Sequence, residues 1–451
     1  MSLADLAPRE FWERAAAGRA LFVSASRVRV LAHYDPDGTA AAAILARACL
    51  RRGLEFHATL STVLDADLTR RLAEESNELL VVADMGSAQL DALEALGLPA
   101  VVLDHHQVLR DSEKVLHLNP VLWGADGAHG VCGATVAFLF ALALDEANWD
   151  LVGAALAGAV GDRQHVGGFT GLNAGLVAEA VARKLLRRER GLLLREAALP
   201  ASLAASVQPY FVGISGRPDA AAAFVGRLGL DAKKRPRDLS PEERRRLSSS
   251  LATQLVAQGA NPEAVETLVD DRYWIESERI YADELTAYVN ACCRLGEEAL
   301  GMALCLGDRE AFAAAEDLRG RYEGAVLASL RKLEDGDLHQ MKHVQFFYHE
   351  STTLAGSVAG IAMPFFLDQS KPVLGLATTG GTTKVSSRGT KYLVARGLDL
   401  AAGLREAAAG VGGVGGGHNV ASGATIPKGR EREFLMRVDT LVGEQLKPRE
   451  A

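Results

Sequence analysis

The sequence predicts an α/β protein: a doubly wound parallel sheet in the N-terminal part, a mostly helical region in the middle, and a smaller α/β domain at the C-terminal end. Three observations predict it. Short apolar runs alternate with helix-period segments between residues 27 and 104, which is the pattern of βαβ units. The strand signal stops near residue 170 and returns near residue 340. A chain of 451 residues is also too long for one compact core, so two or three domains are expected.

The elements follow in order. Residues 1–25 read as a leading helix, with Pro8 near its start and Phe11, Trp12 and Ala15 on one face. Residues 27–34 are a strand, and Gly38 to Leu50 a helix that packs through Ala40–Ala43, Ile44, Leu45 and Ala48. A strand at 54–60, a helix at 65–75, a strand at 78–83, a helix at 87–95 and a strand at 99–104 complete the alternation, and helices at 130–145 and 149–161 cover the sheet. Residues 172–208 read as helical and 240–335 mostly so, with a short strand at 300–306. Ser240 as N-cap, Pro241 at the first helical position and Glu242 and Glu243 in the first turn mark a helix start. Then come strand 343–349, helix 353–363, strands 372–378 and 382–388, helix 398–409, a glycine-rich loop at 410–417 and helix 429–444. Domains are expected at 1–170, 171–335 and 336–451.

Composition narrows the function. Lys plus Arg less Asp plus Glu is 49 − 57 = −8. A nucleic-acid ligand would therefore need a local basic surface, or metal ions, to offset its phosphates. The five cysteines form no CxxC pair and are odd in number, which points to a reducing cytoplasm and no structural zinc. No signal-peptide pattern and no apolar run of about 18–20 residues is found, so no membrane span is expected.

The chemistry gathers at the strand ends. His33, Asp35 and Asp37 are spaced two apart, and would share one side if the backbone stays extended there. Asp84 follows one apolar run and Asp104-His105-His106 follows another. Ligand sites of open α/β sheets form at that carboxyl edge. Asp162 ends a small-residue helical stretch, where it could approach the same edge. So many carboxylates cannot stay ionised together without cations. Oxygen ligands mixed with imidazole suit manganese, with magnesium as the next candidate. The ligand count is enough for two ions, an arrangement suited to phosphoryl hydrolysis. Each piece alone has a plain reading: Asp84 as a helix cap, His33 as a core histidine, Asp37-Gly38 as a turn. Together they do not.

These residues resemble the DHH phosphoesterase superfamily. His33-Tyr34-Asp35-Pro36-Asp37-Gly38 resembles its first motif in the form seen in RecJ-type nucleases, Asp84 the second, Asp104-His105-His106 the third, and Gly161-Asp162-Arg163-Gln164 the fourth. His117-Leu118-Asn119-Pro120 is similar to the segment after the third motif. Gly415-Gly416-Gly417-His418 and the following Ala421-Ser422-Gly423-Ala424 resemble the glycine-histidine motif of the associated DHHA1 domain, and Lys384-Val385-Ser386-Ser387-Arg388 its substrate-binding strand. Asn290-Ala291-Cys292-Cys293-Arg294 resembles the archaeal RecJ-like branch, with Cys293 where a glycine is expected. The likeness covers about residues 27–165 and 285–445.

The resemblance implies a DHH catalytic domain and a C-terminal DHHA1 domain around a cleft. One ion would take His33, Asp35 and Asp84; the other Asp37, Asp84, His105 and Asp162. His106 would touch the scissile phosphate and Asp104 would orient His105. Lys384, Ser386, Arg388, Gly415, Gly416, Gly417, His418 and Arg294 would hold substrate. The expected activity is a manganese-dependent exonuclease, in replication or repair, on single-stranded DNA or RNA. It is expected to be a monomer, with a helicase or replisome partner on the inserted region. Two alternatives stand beside it: a phosphodiesterase of very short oligonucleotides or cyclic dinucleotides, and a Cdc45-like scaffold without catalysis.

Weaker signals have plainer readings. Gly410-x-Gly412-x-x-Gly415 matches a dinucleotide fingerprint by letter but follows a helix. The basic runs at 183–195 and 232–246 could line a nucleic-acid path, but such runs are more often solvated helix faces or linkers, and that is the expectation here. Trp123, Tyr273, Trp274, Phe346 and Phe347 could stack bases, and each alone is more often core.

Overall fold

A computed structural model describes residues 5–447. The chain forms two compact units. The first runs to Arg190 and takes up Asp271–Tyr322 again; the second comprises Gly191–Asp270 and the chain from Glu323 onward. Residues 1–4 of the expected leading helix lie outside the described residues.

In the first unit, α1 (Arg9–Ser24), β1 (Arg27–His33), α2 (Pro36–Arg51), β2 (Glu55–Ser61), α3 (Ala66–Glu74), β3 (Leu79–Ala83), α4 (Leu90–Ala95), β4 (Ala100–Leu103) and β5 (Leu116–Leu118) follow the predicted alternation. The sheet order is β2-β1-β3-β4-β5, and each neighbouring pair is parallel. Side-chain alternation splits its strands between two cores. Val30, Ala32, Val81, Ala83, Val101 and Leu103 pack with α2, α5 (Gly133–Leu144) and α6 (Val152–Gly161). Leu31, Leu80, Val82 and Val102 pack with Leu68 and Leu72 of α3 and Leu90 and Leu93 of α4. A sheet covered on both faces explains why β3 is apolar at every position, Leu79-Leu80-Val81-Val82-Ala83.

The helical expectation beyond residue 170 holds in part. After α7 (Gly171–Ala182) the chain forms β6 (Leu186–Leu192), where helix was expected. Arg187, Arg188 and Glu189 are good helix formers, but Arg188 pairs with Asp271 of a later strand, and that pairing overrides propensity. Next come α8 (Leu199–Ala204), α9 (Pro218–Arg227), α10 (Pro241–Ala257), α11 (Pro262–Glu266), β7 (Val269–Ile275), β8 (Ile280–Tyr281), α12 (Ala282–Leu295), α13 (Glu298–Cys305) and α14 (Arg309–Glu334). Strands β6, β7 and β8 make a three-stranded sheet. Ser240 caps α10 in a reciprocal box with Glu243, as its sequence predicts. The strand expected at 300–306 is the helix α13, which buries Gly301, Leu304 and Cys305.

The second unit holds β9 (His339–Gln340), β10 (Gln345–His349), α15 (Thr352–Phe365), β11 (Val373–Thr379), β12 (Thr382–Arg388), α16 (Lys391–Ala395), α17 (Leu400–Ala409), β13 (Val414–Gly417), β14 (Ala421–Pro427) and α18 (Glu431–Gln445). Its sheet has the order β13-β14-β12-β11-β10-β9. Only β10 and β11 pair in parallel; the other pairs are antiparallel. The glycine-rich segment is a loop only to Gly413. Its second half is the strand β13, packed so tightly on α17 that a Cβ at Gly415 would lie 2.6 Å from the Leu404 carbonyl oxygen. Among the described residues no helix is long and apolar enough to cross a membrane. All five cysteines are buried and unpaired.

Candidate metal centre

The three acid-bearing strands β1, β3 and β4 are neighbours, and their carboxyl ends build one site. His33 is the last residue of β1. Asp35 is the N-cap of α2, its Oδ1 accepting from the N–H groups of Asp37 (3.1 Å) and Gly38 (3.0 Å). Asp37 lies in the first helical turn. The three side chains therefore do not share one side of an extended run, as the spacing suggested. A strand, a cap and a helix turn bring them together. Gly38 permits that tight join, since a Cβ there would lie 2.2 Å from the His33 carbonyl oxygen.

Asp84 leaves β3 in the left-handed region, with φ of 55°. It caps no helix; the N-cap of α4 is Gln89. The start of α5 closes over it, and Gly133 has no room for a side chain: a Cβ would sit 2.5 Å from the Asp84 Cβ. The same helix start holds Asp37, whose two oxygens accept from the N–H groups of Gly133 (2.7 Å) and Ala134 (2.9 Å). An anion at a helix N-terminus meets unpaired donors and the positive end of the dipole. Asp162 ends α6.

The two histidines after β4 are fixed differently. Asp104 is buried, and its Oδ1 accepts from the backbone N–H of His105 (2.8 Å) and from the His106 ring at Nδ1 (2.7 Å). Asp104 thus orients the ring of His106, whereas the resemblance gave it His105. The His105 ring is set by the Gly127 carbonyl, 2.7 Å from Nδ1. A carbonyl only accepts, so Nδ1 carries a proton and Nε2 faces inward. It lies 3.2 Å from Asp84, 3.7 Å from Asp37 and 3.8 Å from Asp162. His33 Nδ1 lies 3.0 Å from Asp35 and 3.5 Å from Asp84.

Electrostatics set the state of the cluster. Burial alone would lower His105, but the Asp84 hydrogen bond and the charges of Asp37, Asp84 and Asp162 outweigh it and push its pKa up to about 11. His33 is raised to about 10, Asp35 and Asp84 outweighing burial. Burial, then the charges of Asp84 and Asp162, hold Asp37 well above the usual carboxylate range. Burial raises Asp162 as well. For Asp84 burial is outweighed by hydrogen bonds from His105 and His33, which keep it below its usual value. Positive charge belongs between these carboxylates: the protonated rings of His105 and His33 supply it here, and a divalent cation bound in their midst would supply it with the rings neutral. The donor set fits hard divalent cations. Its members form three overlapping triplets with donor atoms within 4.8 Å: His33, Asp35 and Asp84; Asp37, His105 and Asp162; Asp84, His105 and His106.

Supporting residues were less visible. Ser87 donates its N–H to Asp104 (2.9 Å), and its hydroxyl meets His117 Nε2 (2.9 Å) and the Asn119 amide (3.0 Å). Asn119 also donates to the His106 carbonyl (2.9 Å). The motif-like stretch at 117–120 hinted at this shelf, but nothing singled out Ser87.

Of the substrate-binding candidates, Arg294 belongs to the first unit and the others to the second. Arg294, on α12, donates to the Tyr34 hydroxyl at 2.9 Å, beside the first motif. Lys384, Ser386 and Arg388 alternate along β12 in the second unit. Ser386 and Gly416 both align with Gly423 of β14, on either side of it, and Gly417 aligns with Ser422. Gly415 pairs with Ala424, and the His418 N–H donates to the Ala421 carbonyl. The basic runs are largely spent on local partners: Arg183 on Glu179, Arg187 on Glu189 and Glu276, Lys234 on Glu243, Arg246 on Glu242. Of the aromatic candidates, Tyr273 and Phe347 are core, while Trp123, Trp274 and Phe346 are half-buried.

Residues 27–160 match the DHH family, N-terminal domain, and residues 343–444 match the DHHA1 domain. An uncharacterized protein of Methanocaldococcus jannaschii, MJ0831, is 30% identical over 429 residues, covering 93% of this chain and 94% of that one. Among solved structures, exonuclease RecJ bound to manganese aligns with a TM-score of 0.61 and 22% identity, over 97% of this chain and 96% of its own. CDC45 from Entamoeba histolytica aligns with a TM-score of 0.63 and 12% identity, over 96% and 97%. At these identities the two structures speak for the fold.

Proposed function

The chain belongs to the DHH family, and on that footing we propose that it is a two-metal-dependent phosphodiesterase acting as an exonuclease on single-stranded DNA or RNA. One observation carries the reading: His33, Asp35, Asp37, Asp84, His105 and Asp162 converge at the carboxyl edge of one parallel sheet, within reach of shared cations. His33, Asp35 and Asp84 would hold one ion, and Asp37, His105 and Asp162 the other, with Asp84 beside both. Divalent ions bound there would lower the pKa of water and neutralise phosphate oxygens. Manganese suits the mixed carboxylate and imidazole donors, and the similar RecJ structure is described as bound to manganese; magnesium is the second choice.

The chain's own groups would do the rest. His106 is 57% exposed and donates a hydrogen bond from Nδ1 to the Asp104 carboxylate. The hydrogen bond to Asp104 raises the His106 pKa against burial, and with both ring nitrogens protonated Nε2 is left as a donor for a phosphate oxygen. Asp37 is gripped by the Gly133 and Ala134 N–H groups and Asp84 lies between His33 and His105, so the donors keep their spacing as charge shifts on substrate. Lys384, Ser386, Arg388, His418 and the glycine strand of the second unit, with Arg294 of the first, are the proposed contacts to substrate phosphates. Buried, unpaired cysteines fit a reducing cytoplasm. A helicase feeding single strands is the kind of replication or repair partner this activity would use.

Likeness to CDC45 favours a second reading, a scaffold without catalysis. A scaffold has no need of six converging donors. The deciding experiment is a time course with manganese on single-stranded DNA and RNA, labelled in turn at each end, beside dinucleotides. A ladder shortening from one end supports the exonuclease and gives its polarity. Cleavage of dinucleotides alone moves the protein to the short-oligonucleotide class. No cleavage with metal bound makes it a scaffold.

A further inference from the structure

One buried side chain next to the cluster is used by none of the roles above. Gln164 is only 3% exposed. It follows α6 in a Schellman turn: the Gln164 N–H bonds the Ala159 carbonyl and the Arg163 N–H the Val160 carbonyl. Arg163 takes the left-handed position, with φ of 60°, where glycine is usual. That turn folds Gln164 back beneath Asp162.

Its amide nitrogen faces three acceptors: the carbonyls of Gly127 (3.1 Å) and Val131 (2.9 Å) and the Asp162 carboxylate (2.9 Å). Its oxygen accepts from Asn173 (2.6 Å), whose own oxygen accepts from the Thr135 hydroxyl (2.6 Å). Asn173 and Thr135 are each 1% exposed. This order of bonds fixes which end of the amide is nitrogen, because a flipped Gln164 would set an acceptor against three acceptors. The Gly127 carbonyl is the one that orients the His105 ring. One amide therefore touches both the group that aims His105 and the carboxylate of Asp162, two of the three donors in one triplet.

We infer that Gln164 is a positioning residue for that triplet: its buried amide, held by Asn173, which Thr135 holds in turn, ties the Gly127 carbonyl to Asp162 and so sets the separation of the His105 and Asp162 donors. The inference rests on the cation-binding part of the proposed function. It predicts a defect in metal affinity, and not merely in stability, when the amide is altered.

The test is a manganese titration by calorimetry, with the electron paramagnetic resonance spectrum of the bound ion, on the full chain. Gln164→Met removes both ends of the amide at similar volume. Asn173→Asp keeps the shape and leaves Gln164 in place but sets an oxygen against its carbonyl oxygen, and serves if the first variant does not fold. Leu176→Ala, a buried apolar change on α7, is the stability control. Expected are roughly 10–100-fold weaker binding at one of two sites for Gln164→Met, a smaller loss for Asn173→Asp, an altered spectrum for both, and an unchanged titration for Leu176→Ala despite its lower melting temperature. Titrations of Gln164→Met or Asn173→Asp that overlay the parent would overturn the inference. A parent that binds no divalent ion would overturn the reading beneath it, and the two failures are told apart by the parent alone.

Discussion

The two units carry their candidate binding groups in opposite ways. In the first, Asp37, Asp84 and His105 are buried side by side and bonded to one another, to a helix start and to a carbonyl. In the second, Lys384 and His418 are exposed, while Ser386 and Arg388 are half-buried on β12 against Gly356 and Gly360 of α15. A buried cluster of like charges must be given a counter-charge, so its chemistry is dictated by electrostatics. Groups that are exposed or only half-buried, and not crowded with like charges, carry no such demand and are fitted to hold a ligand. The first unit should therefore govern turnover, and the second affinity for substrate.

The hardest blow to that contrast is Asp84→Asn. It removes the charge shared by both proposed ion sites while keeping a residue type that tolerates the left-handed backbone. Turnover should fall at least ~1,000-fold, about 4 kcal/mol of barrier, with an unchanged circular dichroism spectrum. Retained activity would sink the two-ion assignment.

Gly133→Ala tests whether the cluster depends on its packing. The new methyl would meet the Asp84 Cβ at 2.5 Å, so α5 must shift and carry away the N–H groups that grip Asp37. A stability loss of about 1–3 kcal/mol is expected from overpacking. Activity should drop with it, roughly 10–100-fold, the range seen when supports of a metal site are lost. Full activity would mean that the helix start has slack. On the other unit, Lys384→Ala should raise KM for a single-stranded oligonucleotide ~10-fold, about 1.4 kcal/mol, and leave kcat and manganese affinity alone. A fall in kcat instead would break the division of labour.

The same contrast explains what could be read from the chain. Asp84 and Asp104 were legible because each follows an unbroken apolar run, and in a parallel sheet such runs end at one edge. His33, Asp35 and Asp37 were legible as a group, but not in their geometry. The cap at Asp35 and Pro36 at the first helical position already signalled that the strand ends at His33. The support of His105 was illegible because a backbone carbonyl has no letter of its own. The strand β13 was hidden because Val414-Gly415-Gly416-Gly417 has the composition of a loop; close approach to α17 makes glycine the residue that fits. The strand β6 was hidden because its cross-strand partner Asp271 lies far along the chain.

A third kind of charge lies on the surface of the first unit and should have the smallest effect. Asp111 accepts from the Arg14 guanidinium at 3.0 Å, and that bond, followed by the Ser112 N–H, holds its pKa at about 2. A carboxylate depressed in the folded state adds stability above its unfolded pKa, near 3.9, and loses it as pH falls through the folded value. The contribution is thus complete at neutral pH and disappears between about pH 4 and pH 2. Asp111 is 37% exposed and Arg14 31%, so solvent screens the pair and less than about 1 kcal/mol is expected. Comparing the parent with Asp111→Asn in urea isolates it, because the buried cluster titrates alike in both. The difference should shrink on acidification from pH 5 and also in high salt. A difference that survives high salt would place this pair, too, among the buried charges and erase the distinction between surface and centre.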